Sequence, residues 1–217
     1  MTRRFDTVLF DLDGTLCDTL PLIYEAFAEA FVPALGHTFP DAEIRAMFGP
    51  PDHQIIRNQV PAELAEEAIA RYNAHYRTRH KDLVGAFQGI EELVSRLDET
   101  GHWLGVITGK SRVTALVSLE MTGLIDHFRV IYAGDDVERQ KPDPEAVFKS
   151  LADAGVEPGN RAVMVGDSAA DVAAGRAAGI ATIGVTWGSP DHAELDAAGP
   201  DYTVSTVDEL AEVLGVR

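Results

Sequence analysis

Residues 7 to 15 read Thr-Val-Leu-Phe-Asp-Leu-Asp-Gly-Thr, and the architecture of the whole chain follows from them. The apolar run from Val8 to Phe10 predicts a buried β-strand. That strand ends at two carboxylates, Asp11 and Asp13, because Asp and Gly are poor strand residues. In an open α/β sheet, ligands bind just beyond the carboxyl ends of the strands. Two carboxylates at that edge repel each other unless a cation lies between them. A hard divalent cation such as Mg²⁺ suits their oxygen atoms.

Composition limits the possible functions. The chain has 217 residues and a net charge of −17, from 18 Lys+Arg against 35 Asp+Glu. This acidity argues against binding to nucleic acid or to an anionic membrane, since both need a basic face. No apolar run of about 18 residues is present, so no membrane span is predicted. The only cysteine, Cys17, cannot form an internal disulfide. Because no signal-type segment precedes the first strand, we expect a cytoplasmic protein.

The segment from residue 16 to 84 contains no convincing strand. Apolar residues recur at helical spacing from Pro21 until Pro33 and Gly36, and a short helix follows from Asp41 to Phe48. A long helix then begins at Pro61 and reaches about His80. We therefore predict an all-helical cap domain over residues 16–84, inserted into a core domain formed by residues 1–15 and 85–217.

Strands and helices alternate in the rest of the chain, which predicts a parallel, doubly wound α/β sheet. The predicted strands after the first are Trp103 to Thr108, Val130 to Ala133, Arg161 to Val165, Ala181 to Thr186 and Tyr202 to Ser205. The predicted helices between and after them are Gly89 to Thr100, Ser111 to Met121, Pro144 to Ala154, Ala169 to Ala178 and Val207 to Leu214.

Polar residues with matching chemistry follow several of these strands. Thr108 and Gly109 come directly after a strand and before a helix, where a helix N-terminus favours an anion. Lys141 lies between a strand and a helix in the rigid stretch Gln-Lys-Pro-Asp-Pro. Taken alone, Thr108 could simply cap a helix and Lys141 could be solvated. Together they could neutralise the oxygens of a phosphoryl group.

The stretch Gly-Asp-Ser-Ala-Ala-Asp at residues 166–171 follows another strand. Ser168 and Asp171 form a Ser-x-x-Asp capping box, which explains both residues structurally. Asp167 has no such explanation and is a candidate third metal ligand, with Asp171 also able to support the ligands from behind. Carboxylates, a hydroxyl and a lysine at one edge of a sheet favour phosphoryl transfer, which needs mainly positioning and charge stabilisation.

These motifs resemble those of the haloacid dehalogenase superfamily, in its phosphatase branch, and they cover the core and the predicted cap. The resemblance implies that Asp11 is the nucleophile and forms an aspartyl-phosphate. It implies that Asp13 protonates the leaving group and later activates water. It also implies that the helical cap closes over the site and excludes bulk water.

The remaining roles that the resemblance implies concern phosphate and metal. Thr108 and Lys141 would hold the phosphoryl oxygens, aided by the backbone amides near Leu12 and Gly109. Mg²⁺ would be bound by Asp11, by Asp167 and by the backbone carbonyl of Asp13. Asp171 would support Lys141 or a metal-bound water.

Single residues of this chain distinguish a phosphatase from proteins with related activities. Dehalogenases lack an aspartate at the position of Asp13, and phosphonate-cleaving relatives need a cap lysine, which residues 16–80 do not contain. Mutases of the β-phosphoglucomutase type carry a histidine where this chain has Ile23, so a phosphotransferase is less favoured than a hydrolase. Receiver-type phospho-acceptors also use Asp, Thr and Lys at strand ends, but they lack a helical cap and a residue equivalent to Asp13.

The expected substrate is a small phosphorylated metabolite. The stretch Phe-Gly-Pro-Pro at residues 48–51, with Gly49 and Pro50 at its centre, resembles the cap loop of phosphoglycolate phosphatases and of related pyrophosphatases. Arg45, His53 and Arg57 flank this loop and could meet a second anionic group, although a solvated helix residue is the stronger interpretation for each of them. A phosphoglycolate-like monoester is the first expectation, and inorganic pyrophosphate or a nucleotide is the alternative.

Overall fold

The computed structural model describes residues 4–159, 161–188 and 192–216, so residues 1–3 of the predicted N-terminal stretch lie outside the described part. Within it, six strands form one parallel sheet. The strands are β1 (Thr7–Phe10), β2 (Trp103–Ile107), β3 (Val130–Tyr132), β4 (Ala162–Gly166), β5 (Ala181–Val185) and β6 (Tyr202–Val204). In that described part, no helix is long and apolar enough to cross a membrane.

The strands run in the order β3-β2-β1-β4-β5-β6. β1 is therefore central, with Phe10 in register with Val106 of β2 on one side and with Val165 of β4 on the other. This order is that of the doubly wound fold, in which the crevice at the reversal of strand order binds the ligand. The predicted α/β fold class is confirmed, and the ends of β1, β2 and β4 share one edge.

Both faces of the sheet are buried, as is usual for parallel sheets. Val8 and Phe10 face one apolar cluster, whereas Leu9 faces the other, because successive side chains of a strand point to opposite faces. Helices cover each face. The continuous apolar run of β1 is the sequence signature of such a doubly covered strand.

The helices agree with the predicted ones to within about one turn, with two exceptions. They are α1 (Leu20–Leu35), α2 (Asp41–Ala46), α3 (Asp52–Gln59), α4 (Ala62–Leu83), α5 (Ile90–Glu99), α6 (Arg112–Met121), α7 (Glu145–Ala154), α8 (Ala169–Ala177), α9 (Ala193–Ala198) and α10 (Val207–Leu214), with a 3₁₀ turn at Ile125–His127. The short helices α3 and α9 were not predicted. Each buries only one or two apolar side chains, which leaves little periodicity to detect.

Helices α1 to α4 form a helical block with its own apolar centre. Phe27, Phe31 and Tyr72 are buried there, and burial of each of the two phenylalanines contributes roughly 1.5–3 kcal/mol. α4 also packs against α6, which follows β2, so the block rests on the sheet domain. Of the two residues predicted to close the first helix, Gly36 does so and Pro33 does not. α1 includes Pro33 and continues to Leu35, and the helix ends at Gly36, whose φ of 80° is left-handed.

Candidate active site

Three aspartates meet beyond the carboxyl ends of β1 and β4. Asp11 follows β1 and is 8% exposed, Asp167 follows β4, and Asp171 is buried in the first turn of α8. One carboxylate oxygen from each lies within 4.8 Å of the others. Carboxylates this close repel one another, so the cluster needs cationic partners.

Lys141 provides the first positive charge. Its Nζ lies 2.9 Å from Asp11 Oδ1 and donates a hydrogen bond to Asp171 Oδ1 at 2.6 Å. It also donates to the carbonyl of Ile107, the last residue of β2, at 3.0 Å. Two hydrogen bonds and one ion pair therefore hold this ammonium group in place. The sequence prediction that a distant lysine reaches the end of β1 agrees with this geometry.

The loop that carries Lys141 is tied to the start of α7. The carboxylate of Glu145 accepts hydrogen bonds from the amides of Glu138 and Arg139, at 3.1 and 3.0 Å, and from Lys149 Nζ at 2.8 Å. The bond from Lys149, followed by the amide of Glu138, lowers the pKa of Glu145 to about 2. Glu145 therefore acts as an anchor for this loop.

The Asp171 carboxylate holds Ser168 and Lys141 in place. Its Oδ2 accepts hydrogen bonds from the backbone amide and the hydroxyl of Ser168, while its Oδ1 faces Lys141. The predicted capping box is thus present. Gly166 makes room for this carboxylate, since a Cβ there would lie 2.3 Å from Asp171 Oδ2. Because both of its carboxylate oxygens accept hydrogen bonds, Asp171 helps to hold the Lys141 ammonium group next to Asp11.

One lysine does not neutralise the cluster. Burial, followed by the negative charges of Asp171 and Asp13, raises the pKa of Asp11, although Lys141 opposes the shift. Desolvation and the neighbouring Asp11 and Asp171 likewise raise the pKa of Asp167 well above its usual range. Both raised pKa values indicate that Lys141 alone does not balance the negative charge of the three aspartates.

The donor set fits a hard divalent cation. Asp11 and Asp167 offer only oxygen atoms, which Mg²⁺ and Ca²⁺ prefer. The loop after β1 lies directly against Asp167, because a Cβ at Gly14 would be 2.3 Å from Asp167 Oδ2, and the φ of Gly14 is +76°. These residues would hold the ion, with the backbone carbonyl of Asp13 as a further predicted ligand.

Asp13 has two partners of its own. The hydroxyl of Thr19, just before α1, donates a hydrogen bond to Asp13 Oδ1 at 2.5 Å. Lys110 Nζ donates to Asp13 Oδ2 at 3.3 Å. The carbonyl of Leu12 accepts the amides of Leu16 and Cys17, so the loop that carries Asp13 folds back on itself.

A cavity of about 430 Å³ opens above these groups. Thr108 and Gly109 line it from the end of β2, next to Asp11, Asp13 and Lys141. Residues of the helical block form much of its wall: Leu20, Ile23, Phe27, Arg45, Phe48, Gly49, Pro50, Asp52, Ile55 and Tyr72. The cavity therefore lies between the sheet edge and the helical block, with polar groups at its base and a mostly apolar wall.

Three of the five block residues singled out from the sequence line this cavity, and two have other surroundings. Arg45, Gly49 and Pro50 contribute to the wall. Arg57 forms an exposed ion pair with Glu66 at 3.0 Å and lies outside the cavity lining. His53 also lies outside it, with its Nε2 2.8 Å from Asn73 Oδ1. On a short helix such as α3, sequence spacing alone does not distinguish these faces.

Two polar residues of the site have no predicted role in the sequence. Asp52 is buried in the cavity wall and accepts a hydrogen bond from Thr114 Oγ1 at 2.6 Å. Lys110 is 5% exposed and contacts Asp13. The available signal for Lys110 was its place directly after Thr108 and Gly109 in a chain with four lysines. Asp52 follows two prolines, a pattern that indicates only the start of a helix and gives no sign of a role in the site.

Comparison with known proteins tests the family resemblance that the sequence motifs indicated. The family model described as haloacid dehalogenase-like hydrolase matches residues 8–185. A pyrophosphatase PpaX of Bacillus velezensis is 34% identical over 215 residues, which cover 99% of each chain. A predicted phosphatase from Clostridium acetobutylicum has a TM-score of 0.78 at 27% identity, covering 97% of this chain and 98% of that one. A predicted phosphoglycolate phosphatase from Haemophilus somnus has a TM-score of 0.85 at 21% identity and covers 98% and 99%, which shows a shared fold.

The family match spans the residues that build the site. It begins within β1, ends with β5 and includes Asp11, Lys141 and Asp167. The resemblance identified from the motifs is therefore confirmed, and this chain belongs to the haloacid dehalogenase-like hydrolase family.

Proposed function

We propose that this protein is a Mg²⁺-dependent phosphatase that hydrolyses a small phosphate monoester through a phosphoenzyme on Asp11. One observation carries the proposal. The Asp11 carboxylate lies 2.9 Å from a lysine inside a cluster that still lacks positive charge. A dianionic phosphoryl group held by Lys141 and a metal would place its phosphorus in front of an attacking carboxylate, as nucleophilic catalysis requires.

In the proposed mechanism, each residue has a defined task. Thr108, the amide of Gly109 and Lys141 hold the phosphoryl oxygens, so that positioning lowers the barrier. Asp11 attacks phosphorus while Asp13 gives its proton to the leaving oxygen. Asp13 then takes a proton from the water that attacks the phosphoenzyme. Bound Mg²⁺ would neutralise charge on the phosphoryl oxygens.

The helical block would act as the cap. Residues 16–84 would move as a cap domain over a core of residues 1–15 and 85–217. Support comes from the cavity, whose wall contains residues of α1, α2, α3 and α4 and of the loop before α3, whereas its base contains residues that follow the strand ends. Enclosure of this kind excludes water and strengthens every charge interaction inside. Ile23 is apolar and lines this wall, which favours hydrolysis over the mutase activity that uses a histidine there.

The cavity volume and Arg45 favour a compact substrate with two anionic groups. Arg45 brings a third cation to the cavity from α2, in addition to Lys110 and Lys141, which also line it. Phosphoglycolate, with a carboxylate beside its phosphate, matches this arrangement. Inorganic pyrophosphate is the second candidate, because a full-length relative at 34% identity is named a pyrophosphatase.

Phosphate release from p-nitrophenyl phosphate, phosphoglycolate and pyrophosphate would test the proposal. We expect turnover that requires Mg²⁺, is abolished by EDTA, and is lost in Asp11→Asn. Arg45→Met should raise the KM for phosphoglycolate or pyrophosphate but not for p-nitrophenyl phosphate. Arg57→Met is the matched control, since it removes an exposed arginine outside the cavity. Metal-independent turnover, or full activity of Asp11→Asn, would refute the proposed function.

A further inference from the structure

Lys110 is a buried cation between the sheet edge and the helical block. Its side chain is 2% exposed, and its Nζ lies 3.3 Å from the Asp13 carboxylate. On another side, the same Nζ lies 4.7 Å from the centre of the Tyr76 ring. Taking an ammonium out of water is expensive unless it is paired. Burial opposes the charge, but Asp13 and then Tyr76 raise the pKa of Lys110 above its ordinary value, so it stays protonated.

The residues around Lys110 come from both the helical block and the core. Tyr76 comes from α4 of the helical block and is fully buried. Its hydroxyl lies 2.8 Å from the hydroxyl of Ser118, on α6 of the core. The same Ser118 oxygen lies 3.1 Å from His80 Nε2, one turn further along α4. The aromatic ring is therefore fixed at its far end, and its face is held against the ammonium group.

We propose that Lys110 is a positioning residue for Asp13, and that Tyr76 of the helical block holds it in place. The inference rests on the proposed function, in which Asp13 transfers the protons. Lys110 Nζ lies 3.3 Å from both Asp13 carboxylate oxygens, which restricts rotation of that carboxylate, and cation–π contact with a buried ring restricts the cation. Lys110 thus fixes where Asp13 delivers and receives its proton.

The two half-reactions depend on this position differently. In the first, an Asp11 oxygen bonds to phosphorus, the bond to the leaving oxygen breaks, and that oxygen takes the proton of Asp13. Nitrophenolate leaves readily without that proton, whereas an alkoxide does not. In the second, water attacks phosphorus, its proton passes to Asp13, and the bond from phosphorus to Asp11 breaks. A misplaced Asp13 therefore slows the second half-reaction for every substrate.

Rapid mixing of the Mg²⁺-loaded enzyme with p-nitrophenyl phosphate separates the two steps. For Lys110→Met we expect a burst of nitrophenolate approaching one equivalent, then a steady rate lower by about 10–100-fold, since a displacement near 1 Å costs about that much. Phosphoenzyme should accumulate, and the KM should change little. Lys81→Met is the matched control, because Lys81 is exposed on α4. Far-ultraviolet circular dichroism and thermal unfolding would establish that both variants fold.

A double-mutant cycle tests whether Lys110 acts through Asp13. In an Asp13→Asn background, Lys110→Met should change the rate of dephosphorylation by about twofold or less, since coupled residues are not additive. Tyr76→Phe keeps the ring and should retain most of the rate, whereas Tyr76→Leu should reproduce the burst of Lys110→Met.

Several results would overturn the inference while leaving the proposed function intact. An unchanged steady rate in Lys110→Met would remove any role for the residue. A raised KM at constant kcat would mean that Lys110 binds substrate directly. Additive effects in the Asp13→Asn background would mean that it acts elsewhere. If the wild-type enzyme releases no phosphate from any ester, it is the proposed function that fails.

Discussion

Replacement of Lys141 by methionine tests how much the buried ion pairs of the site contribute to the stability of the protein. The change removes the ammonium group that contacts Asp11 at 2.9 Å and Asp171 at 2.6 Å, and none of the three side chains is more than 11% exposed. Removing one partner of a buried ion pair costs about 3–5 kcal/mol, because the remaining charge stays in a poorly solvated site. For a chain of this size that corresponds to a fall in Tm of about 6–20 °C.

The pH dependence of this loss has a definite sign. Without Lys141, the pKa of Asp11 rises further above its unfolded value, since the one opposing charge is gone. A group with a raised folded pKa contributes stability below its unfolded pKa, and this stability is lost as pH rises through the folded pKa. We therefore expect a larger fall in Tm at pH 8 than at pH 5.

Thermal unfolding followed by circular dichroism in EDTA would measure the effect, with Lys81→Met as the exposed control. Addition of Mg²⁺ should recover part of the loss in Lys141→Met, because it supplies positive charge to the same carboxylates. A fall no larger than that of Lys81→Met at pH 8 would refute the buried ion pairs on which this reasoning depends.

Two further predictions concern pH. In the unchanged protein without metal, the raised pKa values of Asp11 and Asp167 predict that stability falls as pH rises from about 4 towards neutrality, and that Mg²⁺ raises Tm more at pH 8 than at pH 5. Equal shifts at both pH values, measured by differential scanning calorimetry, would contradict this. Glu145 has its pKa lowered to about 2, so it contributes stability above its unfolded pKa of about 4.3 that is lost as pH falls towards 2. Glu145→Gln should therefore be less stable than the parent at pH 7, and the two acid-unfolding curves should converge near pH 2.

The sequence predicted the strands and three strand ends of the site because the signals there are local. An apolar run that stops at Asp11 identifies a buried strand and its carboxyl end, and Asp167 follows β4 in the same way. The order of the strands was not predictable, since it depends on pairing between segments far apart in the chain. β1 pairs with β2 and β4 across 96 and 155 residues, from Thr7 to Trp103 and to Ala162.

The contacts of Lys110 show why the rest of the site escaped prediction. Its carboxylate partner, Asp13, is 97 residues away, and its aromatic partner, Tyr76, lies on a helix of the block. No local pattern distinguishes such a lysine from a solvated one. Arg57 gives the opposite case, since its position near the loop at residues 48–51 made it a candidate ligand, whereas the structure pairs it with Glu66 on the surface.

Trapping of the phosphoenzyme tests the central proposal most directly. The Mg²⁺-loaded protein would be mixed with p-nitrophenyl phosphate, quenched in acid within milliseconds and digested, and the phosphorylated peptide sequenced by mass spectrometry. We predict that the phosphoryl group is found on Asp11, that Lys110→Met increases its yield, and that Asp11→Asn abolishes it. Sustained phosphate release with no phosphoryl group on Asp11, or with the group on another residue, would contradict the account.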